Sequence, residues 1–288
     1  MTYFSTMLER IQSATKGETG SSVAHNISIE GARGHAFAFD LHYLINLSSR
    51  DIRHVATNMV LDNILSLLSQ IQKSKTATSL LHDLADKGYR LGLLNFDHYG
   101  AAFAPSHKTI FLPVSSLQGP LWTMDSHLHC LSHMIRRAWQ HSENVGAYNA
   151  GSSLDYARAF RSEEADAESL SVLIAWEMRQ EGAPDFWRAF IASSDGDMAL
   201  AFAETIDNDP LAEFDNSALR AAFDAWGMDF DRMAASDDRA LLAQGHEYGD
   251  VVNDMRVISC GFKKPAGVVD EEDTLDNRMV LSAPKAYQ

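Results

Sequence analysis

The sequence has few cysteines, few basic residues and no long apolar run. Only two cysteines, Cys130 and Cys260, occur in 288 residues. Because Cys130 falls inside a predicted helix, we expect no structural disulfide framework, and a reducing compartment fits. No apolar run approaches the roughly 18 residues that a membrane span needs, and residues 1–16 lack the apolar core of a signal peptide. These absences predict a cytoplasmic protein that does not span a membrane.

Positive charge is also scarce. The chain has 39 acidic residues against 24 Lys and Arg, which gives a formal net charge of −15. A surface of this sign argues against nucleic-acid backbones and anionic membranes as main partners. The hydrophobic fraction of 45% and the charged fraction of 22% are ordinary for a soluble globular protein. The charge thus excludes two classes of partner without identifying the actual one.

Hydrophobic periodicity predicts a mainly helical chain with a small sheet in its first half. Residues 23–48 contain strand-like alternation. Two further strand candidates, 89–95 and 108–113, flank a loop and form a hairpin-like pair directly before a histidine-rich helix. The fold class is therefore α+β, mainly α. The predicted helices of the main part of the chain span residues 51–73, 77–87, 121–141, 154–180, 185–193, 196–206, 216–226 and 229–244.

Composition shifts divide the chain into three parts. Residues 1–22 are predicted to form a short N-terminal helix and a flexible link rich in Gly, Ser and Thr. Residues 23–245 carry the periodic segments and are predicted to form one domain. Periodicity fades in residues 246–288, which contain Pro, Gly and an acidic run, so we expect a loosely structured tail there.

The sequence of the histidine-rich helix partly matches that of a zinc-binding helix. A zinc peptidase helix reads His-Glu-x-x-His, in which two imidazoles bind the metal and the Glu activates a water molecule. In this chain Met134 follows His133, at the position of the Glu, and Arg137 stands at the position of the second His. A thioether cannot take up a proton, and a guanidinium offers no free lone pair. Two of the reactive groups are therefore absent.

The following long helix contains Arg161 and then Glu164-Ala-Asp166-Ala. Together with Arg136 and the run Ala-Trp-Gln that ends at Gln140, this resembles a bacterial family of putative metallopeptidases in the zincin-like group. Its metal helix reads His-Glu-Leu-Arg-His-Ala-Trp-Gln, and its next helix carries an Arg and Glu-Ala-Asp-Ala. The similarity covers roughly residues 85–245. It implies a zincin-like fold, with His133 as the first metal ligand and Glu164 as the third.

The first of two open hypotheses is a catalytically degenerate peptidase fold without a cofactor. Arg137 would replace the metal and pair with Glu164 or Asp166, linking the two helices through a buried ion pair. Such a domain would bind a peptide or protein segment along its sheet edge, or serve as a structural module.

The second hypothesis is an active zinc-dependent peptidase or hydrolase. His129 and His133 are four residues apart, so both can face one metal ion, with Glu164 as the third ligand. Cys130 would then stand at the position of the general base, where a thiol is a poor substitute for a carboxylate. Metal analysis of the purified protein separates the two hypotheses.

The remaining polar residues of the two helices are interpreted as structural. We expect His127 and His141 to be exposed and His129 to lie at the surface or its boundary. Cys130 is expected to pack as a small buried hydrophobic residue. A solvated helical face is the expected environment of Glu163, Glu168 and Glu177.

Overall fold

The computed structural model describes residues 24–27, 36–48, 59–94, 101–113, 117, 123–146, 152–245 and 256–258. The prediction of a mainly helical α+β fold is confirmed. The strands in this part of the chain are β1 Ala24–Ile27, β2 Ala36–Asp40, β3 Arg90–Leu94, β4 Ala101–Ala104, β5 Thr109–Pro113 and β6 Arg256–Ile258. The α-helices are α1 Leu41–Ser48, α2 Met59–Ile71, α3 Lys75–Asp86, α4 Met124–Ser142, α5 Ser153–Gln180, α6 Asp185–Ile191, α7 Gly196–Asn208, α8 Ser217–Trp226 and α9 Phe230–Gly245.

Helix ends coincide with capping residues that the sequence shows. The Ser74 hydroxyl accepts a hydrogen bond from the Ala77 amide at 3.0 Å and caps the start of α3. After α3 the chain reverses at Gly88, whose φ of +76° favours glycine. Ser152 caps α5 in the same way through the Asp155 amide, at 3.2 Å. The predicted helix of residues 1–14 and the link after it lie outside the described residues.

The strands form a single sheet with the order β1-β2-β3-β5-β4-β6. β3 and β5 are parallel neighbours, with Gly92 opposite Phe111. The predicted hairpin of these two strands is therefore wrong, since a hairpin joins antiparallel strands. The segment between them contains β4, which passes to the far side of β5 and pairs with it antiparallel. All four residues of β4 are buried, so β4 lacks the alternation that marks a half-buried strand.

The hydrophobic core lies between the sheet and the helices. α4 packs against β4, β5 and α5, so the histidine-rich helix is fixed on both sides. Phe103 of β4, Ile110 of β5 and Leu131 of α4 are fully buried in one core cluster. Within the described residues no helix is both long and apolar enough to cross a membrane.

Residues 256–258 form a strand within the segment that the sequence predicted to be a loosely structured tail. This strand, β6, pairs antiparallel with β4, with Val257 opposite Ala102. It occupies the outer edge of the sheet, beside β4. The rest of the segment 246–288 lies outside the described residues.

Cys130 of α4 is disulfide-bonded, and the described residues contain no free cysteine. The expectation that the chain has no structural disulfide was therefore wrong, whereas Cys130 is buried as predicted. Disulfides are typical of oxidising compartments. The prediction of a cytoplasmic location thus loses the support that it took from the cysteines.

Candidate functional site

The candidate site lies along the contact between α4 and α5, which run antiparallel. Side chains four residues apart lie on one face of a helix, so His129, His133 and Arg137 all point from α4 towards α5. Small residues allow the close approach of the two helices, and the hydroxyl of Ser132 lies 3.0 Å from that of Ser171. The facing residues of α5 include Glu164 and Glu168.

His133 lies between two carboxylates. Its Nδ1 donates to Glu168 Oε1 at 2.8 Å, and its Nε2 lies 3.7 Å from Glu164 Oε1. Burial lowers the pKa of His133, but the charge of Glu168 and the contact with Glu164 outweigh it and raise the pKa to about 9. Burial raises the pKa of Glu164, but His133 and the charges of Arg239 and Arg137 lower it to about 2. His133 and Glu164 therefore form a buried cation–anion pair at neutral pH.

Glu168 accepts hydrogen bonds from two histidines one helical turn apart. His129 Nε2 donates to its other oxygen, Oε2, at 2.6 Å. Burial raises the pKa of Glu168, but the charges of His129 and His133 and their hydrogen bonds hold it well below its usual range. For His129, burial lowers the pKa, but the charge of Glu168 raises it overall. The expectation that Glu168 faces solvent was wrong.

Other expectations for the polar residues were also wrong. His127 and His129 are buried, not exposed or at the boundary. His127 Nδ1 lies 2.9 Å from the Thr123 carbonyl oxygen, and burial lowers its pKa. Glu163 is buried, and Glu177 accepts hydrogen bonds from Thr76 at the start of α3.

The guanidinium of Arg137 is buried between α4 and α5. Its Nη1 forms an ion pair with Glu163 Oε2 and donates to Gln140 Oε1 at 3.2 Å. Its Nε lies 3.6 Å from Glu164 Oε1, the same oxygen that faces His133 Nε2. The structure therefore brings Arg137, His133 and Glu164 together. The closest carboxylate to Arg137 is that of Glu163.

Asp166 pairs with a different arginine from the one expected. Its carboxylate accepts two hydrogen bonds from Arg136, from Nε at 2.6 Å and from Nη2 at 3.1 Å. Gln140 Nε2 also donates to Asp166 at 2.7 Å and thereby connects this pair to Arg137. The predicted alternative pairing of Arg137 with Asp166 does not form, because Asp166 points to the other side of Gln140.

The residues at the motif positions do not fit a catalytic metal. His133 Nε2 is buried, makes no hydrogen bond within the described residues, and could bind a metal only after losing its proton. Glu164 also fits as a ligand. Arg137, however, places a cation against the same carboxylate oxygen, and Met134 is part of the hydrophobic core. Arg137 therefore cannot bind a metal, and Met134 cannot activate a water molecule.

The ligand set of the active-enzyme hypothesis does not converge either. Among the described residues, one group of potential metal ligands has its donor atoms all within 4.8 Å of one another, and it consists of His129, Glu168 and Asp195. His133 and Glu164 are not part of it. His129 points to Glu168, one turn along α5 from Glu164.

The sequence analysis missed several residues of this cluster. A signal for Glu168 was present, because an antiparallel helix pair that joins His133 to Glu164 also joins His129, four residues earlier, to Glu168, four residues later. No sequence pattern pointed to Asp195, from the loop before α7, or to Arg239 of α9. Arg239 Nη2 donates to Glu164 Oε2 at 3.1 Å.

The candidate site thus lies on an antiparallel helix pair beside a small sheet. The model of a family described as "Putative metallopeptidase family (DUF6782)" matches residues 55–247. The chain belongs to this family, which confirms the resemblance seen in the sequence. No curated protein and no solved structure matches the chain.

Proposed function

We propose that this protein is a metallopeptidase-fold module that does not cleave peptides and instead binds an extended protein or peptide segment. The observation that carries the first part is the position of Arg137. Its guanidinium lies against Glu164, the carboxylate that the family resemblance implies as third metal ligand, and no metal ion can share that place without displacing it.

Burial of the motif residues supports the absence of cleavage. His133, Arg137 and Glu164 are 1%, 3% and 3% exposed. A catalytic zinc ion keeps one coordination position open for water or substrate. Here the equivalent space is filled by side chains and gives a scissile bond no access.

The pairing of β4 supports the binding of an extended segment. β4 packs against α4 and is the last strand before β6, which pairs antiparallel with its outer side and forms the edge of the sheet. Recognition by strand addition needs only main-chain donors and acceptors along such an edge. A partner segment would take the place of β6.

The first prediction concerns hydrolysis. We expect purified protein to leave casein intact, with or without added Zn²⁺, and the variant Glu164→Gln to behave identically. The measurement is the release of fluorescent fragments from labelled casein. Zinc-dependent hydrolysis that Glu164→Gln abolishes would show that the motif position is catalytic and would overturn the proposal.

The second prediction concerns the sheet edge. Proline at position 257 removes a main-chain N–H and disfavours strand pairing. We therefore expect the full-length variant Val257→Pro to bind extended peptides, selected from a displayed random library, more tightly than the wild type. Calorimetry measures the affinities. If neither protein binds any selected peptide, the domain is a structural module and the binding part of the proposal fails.

A further inference from the structure

We propose that His129, Glu168 and Asp195 form a binding site for a divalent transition-metal ion, one helical turn away from the family motif position. The three donor atoms lie within 4.8 Å of one another. The three residues come from α4, α5 and the loop between α6 and α7. This inference is independent of the proposed function, because it concerns metal binding and not the cleavage of peptides.

The donor set suits zinc. One imidazole nitrogen and two carboxylate oxygens match the ligands that Zn²⁺ accepts in proteins. For bonds of about 2.0–2.1 Å, tetrahedral geometry separates ligand atoms by about 3.4 Å. His129 Nε2 and Glu168 Oε2, now 2.6 Å apart, must therefore move apart by less than an ångström when the ion replaces the shared proton.

His129 is held in place for this role. It is almost fully buried, and its ring packs on that of Phe190, with centroids 4.8 Å apart. Its Nε2 faces Glu168, whose second oxygen is held by His133. A ligand whose orientation is fixed by packing and by neighbouring hydrogen bonds needs little reorganisation when a metal binds.

Asp195 is held in place as well. Its backbone N–H donates to Ser193 Oγ at 3.1 Å, and Arg232 Nε lies 3.1 Å from its Oδ1. The next residue is Gly196, where an added Cβ would collide with the carbonyl oxygen of Ile191. The chain therefore makes its turn into α7 at a position that only glycine fits, directly after the proposed ligand.

The charge of this site favours a cation. Asp195 is buried next to the carboxylate of Glu168, and both burial and that neighbouring charge raise its pKa. In the metal-free protein His129 and the guanidinium of Arg232 offset the repulsion between the two carboxylates. A divalent ion that replaces the proton between His129 and Glu168 would take over this role and join three separate segments of the fold.

The neighbouring Asp197 offers a matched control. Both Asp195 and Asp197 pair with Arg232, at 3.1 and 2.8 Å, but Asp197 is not part of the ligand group. We expect the full-length protein to bind one Zn²⁺, measured by competition with a chromophoric chelator. Asp195→Asn should weaken binding by at least about tenfold, whereas Asp197→Asn should leave it unchanged.

A second measurement uses the wild-type protein and needs no substitution. Histidine side-chain NMR should show that Zn²⁺ shifts the ring signals of His129 and leaves those of His127 in place. Equal affinity of the wild type and Asp195→Asn, or the absence of any shift at His129, would overturn the inference. Binding that Glu164→Gln weakens and Asp195→Asn does not would place the metal at the motif position, and would overturn it too.

Discussion

Replacing Arg137 by alanine is expected to destabilise the fold by about 3–5 kcal/mol, the usual cost of removing one partner of a buried ion pair. The substitution leaves Glu163 and Glu164 buried, and removes the charge that both of them face. Gln140 loses a hydrogen-bond donor as well. Urea denaturation followed by circular dichroism measures the change in the free energy of unfolding.

The control for this experiment is Arg220→Ala. Arg220 forms an ion pair with Asp224, four residues further along α8, and both side chains are about half exposed. Exposed pairs of this kind contribute about 0.3–0.5 kcal/mol, so this variant should unfold almost like the wild type. If Arg137→Ala also unfolds like the wild type, Arg137 does not link the two helices and the metal-replacement hypothesis is wrong.

Stability is expected to be highest between about pH 4.5 and 6.5 and to fall on both sides. The pKa of His133 rises from 6.5 to about 9 on folding. A raised pKa stabilises the fold fully below pH 6.5, and this contribution is lost as the pH rises through about 9. His129, whose pKa is raised too, adds to the loss.

On the acid side the sign is opposite. The pKa of Glu164 falls from 4.5 to about 2 on folding, so its contribution is present above pH 4.5 and is lost as the pH drops through about 2. Glu168 adds to the loss of stability at low pH, because its pKa is lowered on folding as well. Free energies of unfolding at a series of pH values measure both limbs.

Two variants separate His133 from other titrating groups. His133→Gln should be less stable than the wild type at pH 6 by on the order of a few kcal/mol, and it should show a flatter alkaline limb. His42→Gln, at an exposed histidine of α1 outside this cluster, is the matched control. A wild-type stability that stays constant from pH 6 to 10 would contradict the assignment of a raised pKa to His133.

The sequence predicted most helices because each carries its own apolar stripe and its own caps. The boundaries of α4 and α5 differ from the prediction by three residues or fewer. Strand pairing is different in kind, since it depends on contacts between distant segments. β4 has no alternating pattern, and β6 lies 152 residues beyond it, at 256–258 against 101–104. No local sequence pattern indicates the parallel pairing of β3 with β5 or the presence of β6.

The same distinction applies to the site. The positions of His133, Arg137 and Glu164 followed from the motif, because helix periodicity fixes which residues share a face. The burial of His127 and His129 did not follow, because it depends on helices that cover α4 from other parts of the chain. α6 packs on α4, and its Phe190 covers His129. The sequence analysis therefore placed these histidines at the surface, although in the structure they are buried.

The polar contacts between α4 and α5 also determine how these two helices align. An apolar interface tolerates sliding, since one leucine fits about as well as another against a neighbouring turn. If α5 moved along α4 by one turn, about 5.4 Å, then Ala159 and Phe160 would face Arg137 in place of Glu163 and Glu164. That alternative alignment leaves the buried guanidinium of Arg137 without a carboxylate, and His129 and His133 would meet Glu164 in place of Glu168. The charged residues thus select one register out of several that shape alone would accept.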